Sequence, residues 1–585
     1  MLFRSNKIKG DSLGGYGECP SHILHPYANY DADVTRRIML HFYGTNGLDG
    51  AIASDIYKND CWLPYWTAHM SSLAFLEMEM TGFVLDRDRA DELTNLFMDT
   101  QDKLLAEIRQ DLSWLEFNPK SQPQLAVALF GRKFIANFSQ GVAIPECAHT
   151  LDLTPIKSTG KRPKLWKDLN EQAKRTTSPS TDKESLGILG HMNPVAAKIR
   201  DYKFIAQVLQ SVLRKPTLND EGVFETDDNG NYSYDRGLVG CAHADGRVRT
   251  HLFQTKETGR ASSSRPPLQN LSSRREDDYK RILGKENHKH PVRSVLRMPE
   301  GYVGIETDLT GAELAVLAWL SQDQNMIEHV RRNLLPEEHP DHYDIHSRQA
   351  VKVFNLSNVE PTKSGLVKAG CKGLRIAAKN VNFGIPYGRG AEAIARQCKE
   401  EGVSVTPDDC QAMIEAYFDS YPRTAEFLAT CRKRSQDPGW LVGPYGRFRR
   451  FVRVGHKDRA VIGEQERQAQ NFPIQGGVAD AVSLALANFV HYREMHPEID
   501  YNIALQIHDA IILMVPIEHA EQVYKEVIPR CMVEQVPFWP RYLNGDIIPV
   551  EKPYHFGMDR EVFVHWGEKL HELEAKKLGL NWMFA

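Results

Sequence analysis

One stretch, residues 375–388 with the sequence RIAAKNVNFGIPYG, places the strongest constraint on what this chain can fold into. Within it, Arg375, Lys379, Phe383 and Tyr387 recur at every fourth position, so on an α-helix of about 3.6 residues per turn they form one stripe. Two cations followed by two aromatic rings suit a ligand with a polyanionic end and a flat ring. The free N–H groups at a helix start also favour anions. A nucleoside triphosphate has that shape, so the stripe is a candidate site for one.

A second interpretation of the same stretch stays open. Arg375 and Lys379 can be solvated surface cations while the two aromatic rings belong to the core. Gly384 weakens a helix, and Pro386 lacks an N–H and clashes with the preceding turn. We therefore expect the regular helix to end or kink near these residues, which makes the position of Tyr387 the least certain part of the stripe.

Composition narrows the class of protein. The 585 residues are 42% hydrophobic and 25% charged, which is typical of soluble globular chains of several domains. The first residues lack the apolar run of a signal peptide, and no apolar stretch approaches the roughly 20 residues of a membrane span. Nine scattered cysteines contain no C-x-x-C pair, which argues against a disulfide framework and a structural zinc site. We predict a cytoplasmic protein.

Charge is unevenly distributed along the chain. The net charge is −4, yet residues 245–297 hold 13 Lys and Arg against 6 Asp and Glu. A basic segment inside a mildly acidic protein is typical of a local phosphate-binding surface. A solvated face of the fold would have the same composition, so both interpretations remain.

Two aspartates are predicted to lie at the ends of β-strands. Residues 302–307 have the pattern of a buried strand that delivers Asp308 at its end, followed by a helix with the sequence GAELAVLAWLSQ. Thr310 and Glu313 have capping-box spacing, so this segment can also be an ordinary helix start. Further along, two apolar runs flank His508 and Asp509, which predicts a tight hairpin with a carboxylate at its tip.

Phosphoryl transfer to a nucleotide uses two divalent ions about 3.5–4 Å apart. Two aspartates on adjacent strands can bridge both ions, and Mg²⁺ prefers such oxygen ligands. A cationic helix facing them would bind the triphosphate and stabilise its charge. The combination of Asp308, Asp509 and the stripe is therefore more specific than any one of these features.

The motifs together resemble those of family A DNA polymerases, the bacterial polymerase I group and its phage relatives. From about residue 70 to 565 they occur in the family's order and roughly its spacing. They are TDLTGAELAVLAWLS and LQIHDAIILMVP for the two carboxylate motifs, RIAAKNVNFGIPYG for the nucleotide-binding fingers helix, and ETGRASSSRPPLQNLS and RQAQNFPIQGGVADAVSLA for template–primer contacts.

The resemblance implies a role for each matched residue. Asp308 and Asp509 are the implied catalytic metal ligands, with the Leu309 carbonyl assisting. Residues implied to bind the nucleotide are Arg375, Lys379 and His346 at the triphosphate, Phe383 and Tyr387 at the base, and Glu313 at the sugar 2′ position, where it rejects ribonucleotides. Residues implied to contact primer or template, largely from the minor-groove side, are Arg260, Asn270, Arg467, Asn471, Gln475 and His508. Minor-groove contacts check shape without reading sequence.

The resemblance also implies an α+β right-hand polymerase fold with an antiparallel-sheet palm, helical fingers and a helical thumb. The expected domains are a short remnant of a 3′–5′ exonuclease-like domain at 1–69, thumb and the start of the palm at 70–240, palm with the first carboxylate motif at 241–325, fingers at 326–440, and palm with the second carboxylate motif and the C-terminus at 441–585.

The sequence departs from the family pattern at several positions. Ala510 stands where the family usually has Glu, so a supporting carboxylate is missing; we expect the two aspartates to suffice, with a weaker metal affinity. Leu309, Gly311 and Ala312 change the packing beneath the sugar, and Pro386 is unusual before the tyrosine.

The N-terminal sequence departs most from the family. HPYANYDADVT, with Tyr27 and Asp31, resembles the last exonuclease motif, but residues 1–26 contain no Asp-x-Glu. Because a lone Asp31 cannot assemble a two-metal site, we expect no proofreading by this chain. The sequence thus resembles a phage-type enzyme with a truncated exonuclease domain.

The expected activity is template-directed DNA synthesis, in which a primer 3′-hydroxyl attacks a deoxynucleotide and pyrophosphate leaves. The expected cofactor is a pair of Mg²⁺ ions, with Mn²⁺ as a substitute. Expected partners are primer–template DNA and dNTPs, together with a separate exonuclease subunit or a processivity factor. The protein is expected to be a monomer in the cytoplasm, or in the cytoplasm of the host cell if the source is a virus. A single-subunit RNA polymerase and a non-catalytic DNA-binding protein are the alternatives; Glu313 argues against the first, and retention of both aspartates argues against the second.

Overall fold

The computed structural model describes residues 62–133, 144–156, 158–159, 178–213, 237–254, 256–271, 276–284 and 292–584. The proposed exonuclease motif with Tyr27 and Asp31 lies outside the described residues. Over the described ranges, no helix combines the length and the apolar character that crossing a membrane requires.

The α-helices of four or more residues are distributed along the described part of the chain. In chain order they are α1 (Trp62–Thr81), α2 (Arg87–Asp111), α3 (Gln122–Phe130), α4 (Lys183–Met192), α5 (Pro194–Ser211), α6 (Gly237–Gly240), α7 (Glu276–Leu283), α8 (Ala312–Ser321), α9 (Gln324–Asn333), α10 (Ile345–Val353), α11 (Lys363–Lys368), α12 (Lys372–Gly384), α13 (Ala391–Glu400), α14 (Pro407–Ser420), α15 (Pro422–Gln436), α16 (Arg459–Met495) and α17 (Glu572–Lys577). Short 3₁₀ turns lie at Leu268–Asn270, Val292–Val295, Ile517–His519 and Asn581–Met583, π turns at Val523–Val527 and Arg530–Glu534, and a three-residue α-helical turn at Ala520–Gln522.

The strands are mostly short and pair antiparallel. They are β1 (Phe83–Leu85), β2 (Ser158–Thr159), β3 (Ser178–Pro179), β4 (Arg247–Val248), β5 (His251–Phe253), β6 (Ser262–Ser264), β7 (Leu296–Arg297), β8 (Tyr302–Thr310), β9 (Trp440–Val442), β10 (Phe448–Arg450), β11 (Asn502–Ile507), β12 (Ala510–Pro516) and β13 (Gly557–Phe563).

A four-stranded sheet in the order β11-β12-β8-β13 positions the candidate site. Every residue of β12 is buried, as its apolar sequence AIILMVP predicts, and β8 is buried at alternate positions near its end. The register places Ala510 of β12 and Asp559 of β13 on either side of Asp308. A two-residue turn, His508 and Asp509, joins β11 to β12, so the hairpin prediction is confirmed.

The core lies where α8 and α16 pack beside this sheet. In α8 every residue except Glu313 is buried, and its sequence is apolar all round, which is the pattern of an internal helix. The middle of α16, from Phe472 to Val490, is also buried. Only Gly311 separates β8 from α8, and Glu313 is the one side chain of α8 that is not buried in the core.

Helices α10, α12, α13 and α14 pack against one another. In the sequence they follow α9 and precede α15. Helix α12 begins at Lys372 and ends at Gly384, with Ile385 as the C-terminal flanking residue, directly before Pro386. The expected end of the helix is therefore confirmed. Tyr387 lies in the turn that follows, where its N–H donates to the carbonyl of Gly384.

Two local predictions, on the start of α8 and on the position of Asp308, need correction. Thr310 and Glu313 form no capping box: Gly311 is the N-cap of α8, without a side-chain cap bond, and both flanking side chains bond elsewhere. Arg467, Asn471 and Gln475 lie inside α16, which begins at Arg459 and contains Pro473. Asp308 lies within β8, two residues before its end, instead of just beyond the strand.

Candidate active site

The two predicted catalytic aspartates lie at the same end of the central sheet. Asp308 of β8 is paired in register with Ala510, and Asp509 immediately precedes Ala510 in the turn. His508, the other turn residue, has a positive φ of 54°, a left-handed conformation that tight two-residue hairpins require. The strand pairing therefore brings together two carboxylates that are distant in the sequence.

Asp308 is in an environment that disfavours its charge. Burial, followed by the negative charges of Asp509, Glu306 and Asp559, raises the pKa of Asp308 to about 7. Its Oδ1 atom is buried without a hydrogen-bond partner. A buried carboxylate oxygen with no donor, beside a second carboxylate, is what a cation-binding position requires.

The donor set at this end of the sheet fits a hard divalent cation. Asp308 and Asp509 offer carboxylate oxygens, and Leu309, which follows Asp308 in β8, has a main-chain carbonyl. Over the described part of the chain, no three His, Cys, Asp or Glu side chains are already arranged as ligands of one metal ion.

The predicted phosphate-binding side chains form a second group. Arg375 Nε donates to Asp344 Oδ2 (2.9 Å) and to Ser347 Oγ (3.0 Å). Asp344 is also the N-cap of α10, where it accepts from the backbone N–H groups of His346 and Ser347. Burial by itself would raise the pKa of Asp344, but the bonds from Arg375 and Ser347 outweigh burial and lower it. One carboxylate therefore fixes both the start of α10 and the guanidinium on α12.

His346 lies near the cations Arg375 and Lys379 and near the aromatic residue Phe383 of the stripe. Asn382 Nδ2 lies 2.8 Å from His346 Nδ1. Because an amide nitrogen can only donate, Nδ1 accepts and the ring hydrogen is on Nε2. Burial, with Arg375 and Lys379 nearby, lowers the pKa of His346 to about 4 although Asp344 opposes the shift, so the ring is neutral at pH 7.

The rings of the stripe meet the same residues. The Phe383 ring centroid is 5.7 Å from that of His346, and Lys379 Nζ is 5.9 Å from the Phe383 centroid. Arg375, Lys379, His346 and Phe383 are thus brought together.

A third group surrounds Glu313. Arg260 donates to Glu313 Oε1 (2.6 Å), and the Tyr387 hydroxyl lies 3.0 and 3.1 Å from the two Glu313 oxygens. Gln475 of α16 donates to the same hydroxyl. Four predicted residues from four separate segments therefore meet at the start of α8, five residues beyond Asp308. Arg260, predicted to contact DNA, is ion-paired with Glu313 in this structure.

The remaining predicted DNA contacts lie around these groups. Asn270 is exposed, and its neighbour Gln269 donates to the Gln506 carbonyl, while Gln506 donates to the carbonyl of His508. Asn270 and His508 therefore lie near the same end of β11. On α16, Arg467 is exposed and its stem contacts Gly388, directly after Tyr387, and Asn471 has a buried Oδ1 without a partner.

Three residues that contact the predicted site were missed by sequence reasoning. Asp344 precedes the helical pattern IHSRQAV, an N-cap signal that could have been recognised, but its ion pair with Arg375, 31 positions later, could not. Asn382 lies on α12 but outside the stripe, so the four-residue spacing did not select it. Asp559 faces Asp308 only because of the pairing of β13 with β8.

The family follows from comparison with known proteins. The model of DNA polymerase family A matches residues 160–541, more than half of the chain, so the chain belongs to DNA polymerase family A.

Individual relatives agree with this assignment. The chain is 28% identical over 481 residues to DNA polymerase I of Caldicellulosiruptor bescii, covering 82% of this chain and 46% of the relative. It is 28% identical over 554 residues to the DNA polymerase of Escherichia phage T5, covering 90% of this chain and 54% of the relative. The chain thus spans about half the length of the curated relatives that it matches.

A solved structure, the POL domain of Pol1 from M. smegmatis in complex with DNA primer-template and dNTP, is similar with a TM-score of 0.63 and 20% identity, covering 90% of this chain and 75% of that one. This similarity concerns the fold. The predicted α+β right-hand polymerase fold is confirmed.

Proposed function

We propose that this chain is a template-directed DNA polymerase that adds deoxynucleotides to a primer 3′-hydroxyl. The observation that supports the proposal most directly is the arrangement of Asp308 and Asp509 at one end of an antiparallel sheet, with Glu313 and Tyr387 bonded to each other at the adjoining helix. Family membership makes this the natural chemistry for that geometry. Primer–template DNA and dNTPs are the proposed partners, and the chain acts as a monomer.

The proposed cofactor is a pair of Mg²⁺ ions, for which Mn²⁺ can substitute, held by Asp308, Asp509 and the Leu309 carbonyl. When bound, such ions make the attacking hydroxyl more acidic and stabilise charge on the leaving pyrophosphate. The unpaired Oδ1 of Asp308 and the raised pKa of that carboxyl support this assignment. A bound cation would give the oxygen a partner and would favour the charged form of the carboxyl.

The triphosphate is proposed to bind Arg375, Lys379 and His346. Asp344 holds the Nε edge of Arg375, so the guanidinium has a fixed direction before the nucleotide arrives. Neutral His346 presents its Nε2–H as a donor to a phosphate oxygen, a role that does not depend on protonation near pH 7. Phe383 is proposed to pack against the base.

The sugar is proposed to lie beside Glu313. The bonds from Arg260 and Tyr387 fix the carboxylate in one position, so it can exclude a 2′-hydroxyl by occupying its space. Primer and template are proposed to contact Asn270, Arg467, Asn471, Gln475 and His508. In this assignment α10–α14 belong to the fingers, within residues 326–440, and β8, β11 and β12 to the palm.

Primer extension on the purified chain tests the proposal. Wild-type protein with primer–template, dNTPs and Mg²⁺ should lengthen the primer, and Asp308→Ala or Asp509→Ala should abolish extension while DNA binding persists. Extension by either variant at near-normal rate contradicts the assignment. Preference for rNTPs would select an RNA polymerase, and DNA binding without any extension by the wild type would select a non-catalytic protein.

A further inference from the structure

Asp559, on the edge strand β13, is the nearest cross-strand acidic neighbour of Asp308. The register pairs the two residues directly. Side chains of such a pair lie on the same face of an antiparallel sheet, with Cβ atoms about 4.5–5.5 Å apart. The register neighbour of Asp308 on the other side, Ala510, has no polar group. The end of the sheet thus carries one additional carboxylate, on the side opposite to Ala510.

Thr310 holds this carboxylate on the face of the sheet that carries Asp308. Its hydroxyl donates to Asp559 Oδ2 at 3.1 Å. Thr310 follows Asp308 by two positions in β8 and therefore points to the same face. Across from Thr310 the register places Gly557, which has no side chain to separate the two groups. Asp559 is exposed, so solvent and a solvated ion can reach its other oxygen.

The charges around this carboxylate are predominantly negative. Asp509 and Glu306 act on Asp308 together with Asp559. The positive charge of Arg293 lies 4.0 Å from a carboxylate oxygen of Glu306, which is two residues from Asp308 in β8. The Thr310 hydroxyl holds the Asp559 carboxylate among other carboxylates. Repulsion among these negative charges raises the energy of the cation-free state, and a bound cation removes that repulsion.

We propose that Asp559 is a positioning residue for the divalent cation of the Asp308–Asp509 site, acting through water on the ion. This inference depends on the proposed function. The described part of the chain contains no three side chains already arranged to ligate one ion, so a water-mediated contact fits better than direct ligation. Carboxylates in that outer position orient the inner ligands and add attraction for the ion.

The variants separate charge from hydrogen bonding. Asp559→Asn keeps an oxygen for the Thr310 hydroxyl and removes only the charge. Thr310→Val removes the donor and keeps the charge. Glu561→Gln is the matched control, because Glu561 lies two residues along β13 on the same face, opposite Glu306 instead of Asp308. Comparison with this control distinguishes a local role from a general reduction of negative charge.

The experiment is titration of the full chain with Mn²⁺ alone, following free Mn²⁺ by electron paramagnetic resonance. We expect Asp559→Asn to weaken binding by about tenfold, Glu561→Gln by less than about twofold, and Asp308→Asn to remove the site. Thr310→Val should weaken binding less than Asp559→Asn. Cooperative thermal unfolding of each variant in EDTA would show that the variants fold.

Equal Mn²⁺ affinity of wild type and Asp559→Asn overturns the inference, and so does an equal loss in Glu561→Gln. Primer extension by the same wild-type preparation tests the proposed function separately. If the wild type extends primers and Asp559→Asn binds Mn²⁺ normally, only the role of Asp559 is wrong. If the wild type does not extend primers, the proposed function is wrong.

Discussion

Replacing Asp308 by Asn should make the metal-free protein more stable at pH 8. The substitution is nearly isosteric and removes a partly buried charge whose neighbours are also carboxylates. In the unfolded chain Asp308 loses its proton near the ordinary pKa of 3.8, whereas in the folded protein the pKa is about 7. Between these values the folded state binds more protons, so the stability contributed by this group falls as the pH rises through that window.

The size of the effect follows from the shift. At about 1.4 kcal/mol per pH unit, a difference of about 3 units corresponds to a ceiling of about 4 kcal/mol above pH 7. Asp308 is only partly buried, so solvent screening reduces the expected gain to about 1–3 kcal/mol. At pH 5 most of the penalty has not developed, and the gain from Asp308→Asn should be correspondingly smaller.

Thermal unfolding in EDTA at pH 5 and pH 8 measures this difference. Asp308→Asn should melt a few degrees above wild type at pH 8, at about 2 °C per kcal/mol or less for a chain of this size, with a narrower gap at pH 5. Added Mn²⁺ should raise the melting temperature of wild type and leave the variant unchanged. If the variant melts below wild type in EDTA at pH 8, or the gap is equal at both pH values, the electrostatic account of Asp308 is wrong.

Two further changes test the groups around the nucleotide. Asp344→Asn keeps a good N-cap for α10 but loses the charge that holds Arg375, so the KM for dNTPs should rise about tenfold, whereas Asp344→Ala should add about 1 kcal/mol of instability from the lost cap. Steady-state primer extension and thermal melting separate the two effects; an unchanged KM in both variants contradicts the role of Arg375. Glu313→Ala should raise the ratio of rNTP to dNTP incorporation by at least about tenfold, measured in competition assays, because it opens space beside the sugar. Glu313→Gln, which keeps the volume and an acceptor for Tyr387, is the control and should retain most of the discrimination.

Local sequence patterns predicted those parts of the site that depend on neighbouring residues. The strand that carries Asp308, the two-residue turn at His508 and Asp509, and the end of α12 at Gly384 each follow from hydrophobic runs or from Gly and Pro. These features are determined within about ten residues. The same patterns could not show which segments meet in space.

The pairing of distant segments explains what sequence reasoning missed. Asp559 faces Asp308 through a register that joins positions about 250 residues apart, and nothing in either segment encodes that alignment alone. Asp344 and Arg375 meet because α10 packs on α12. Within α16, Pro473 is a local helix-breaking signal, yet the helix runs from Arg459 to Met495 because its apolar middle is buried in the core.

The start of α8 shows how these two levels compete. Thr310 and Glu313 have the spacing of a capping box, and such a cap typically contributes about 1 kcal/mol. The structure uses both side chains elsewhere: Thr310 donates to Asp559, and Glu313 bonds to Arg260 and Tyr387. Gly311, with a φ of 62°, begins the helix without a side-chain cap. The packing of α8 in the core stabilises the helix without that cap, and this leaves two polar side chains at its start to position a carboxylate on one side and to exclude a hydroxyl on the other.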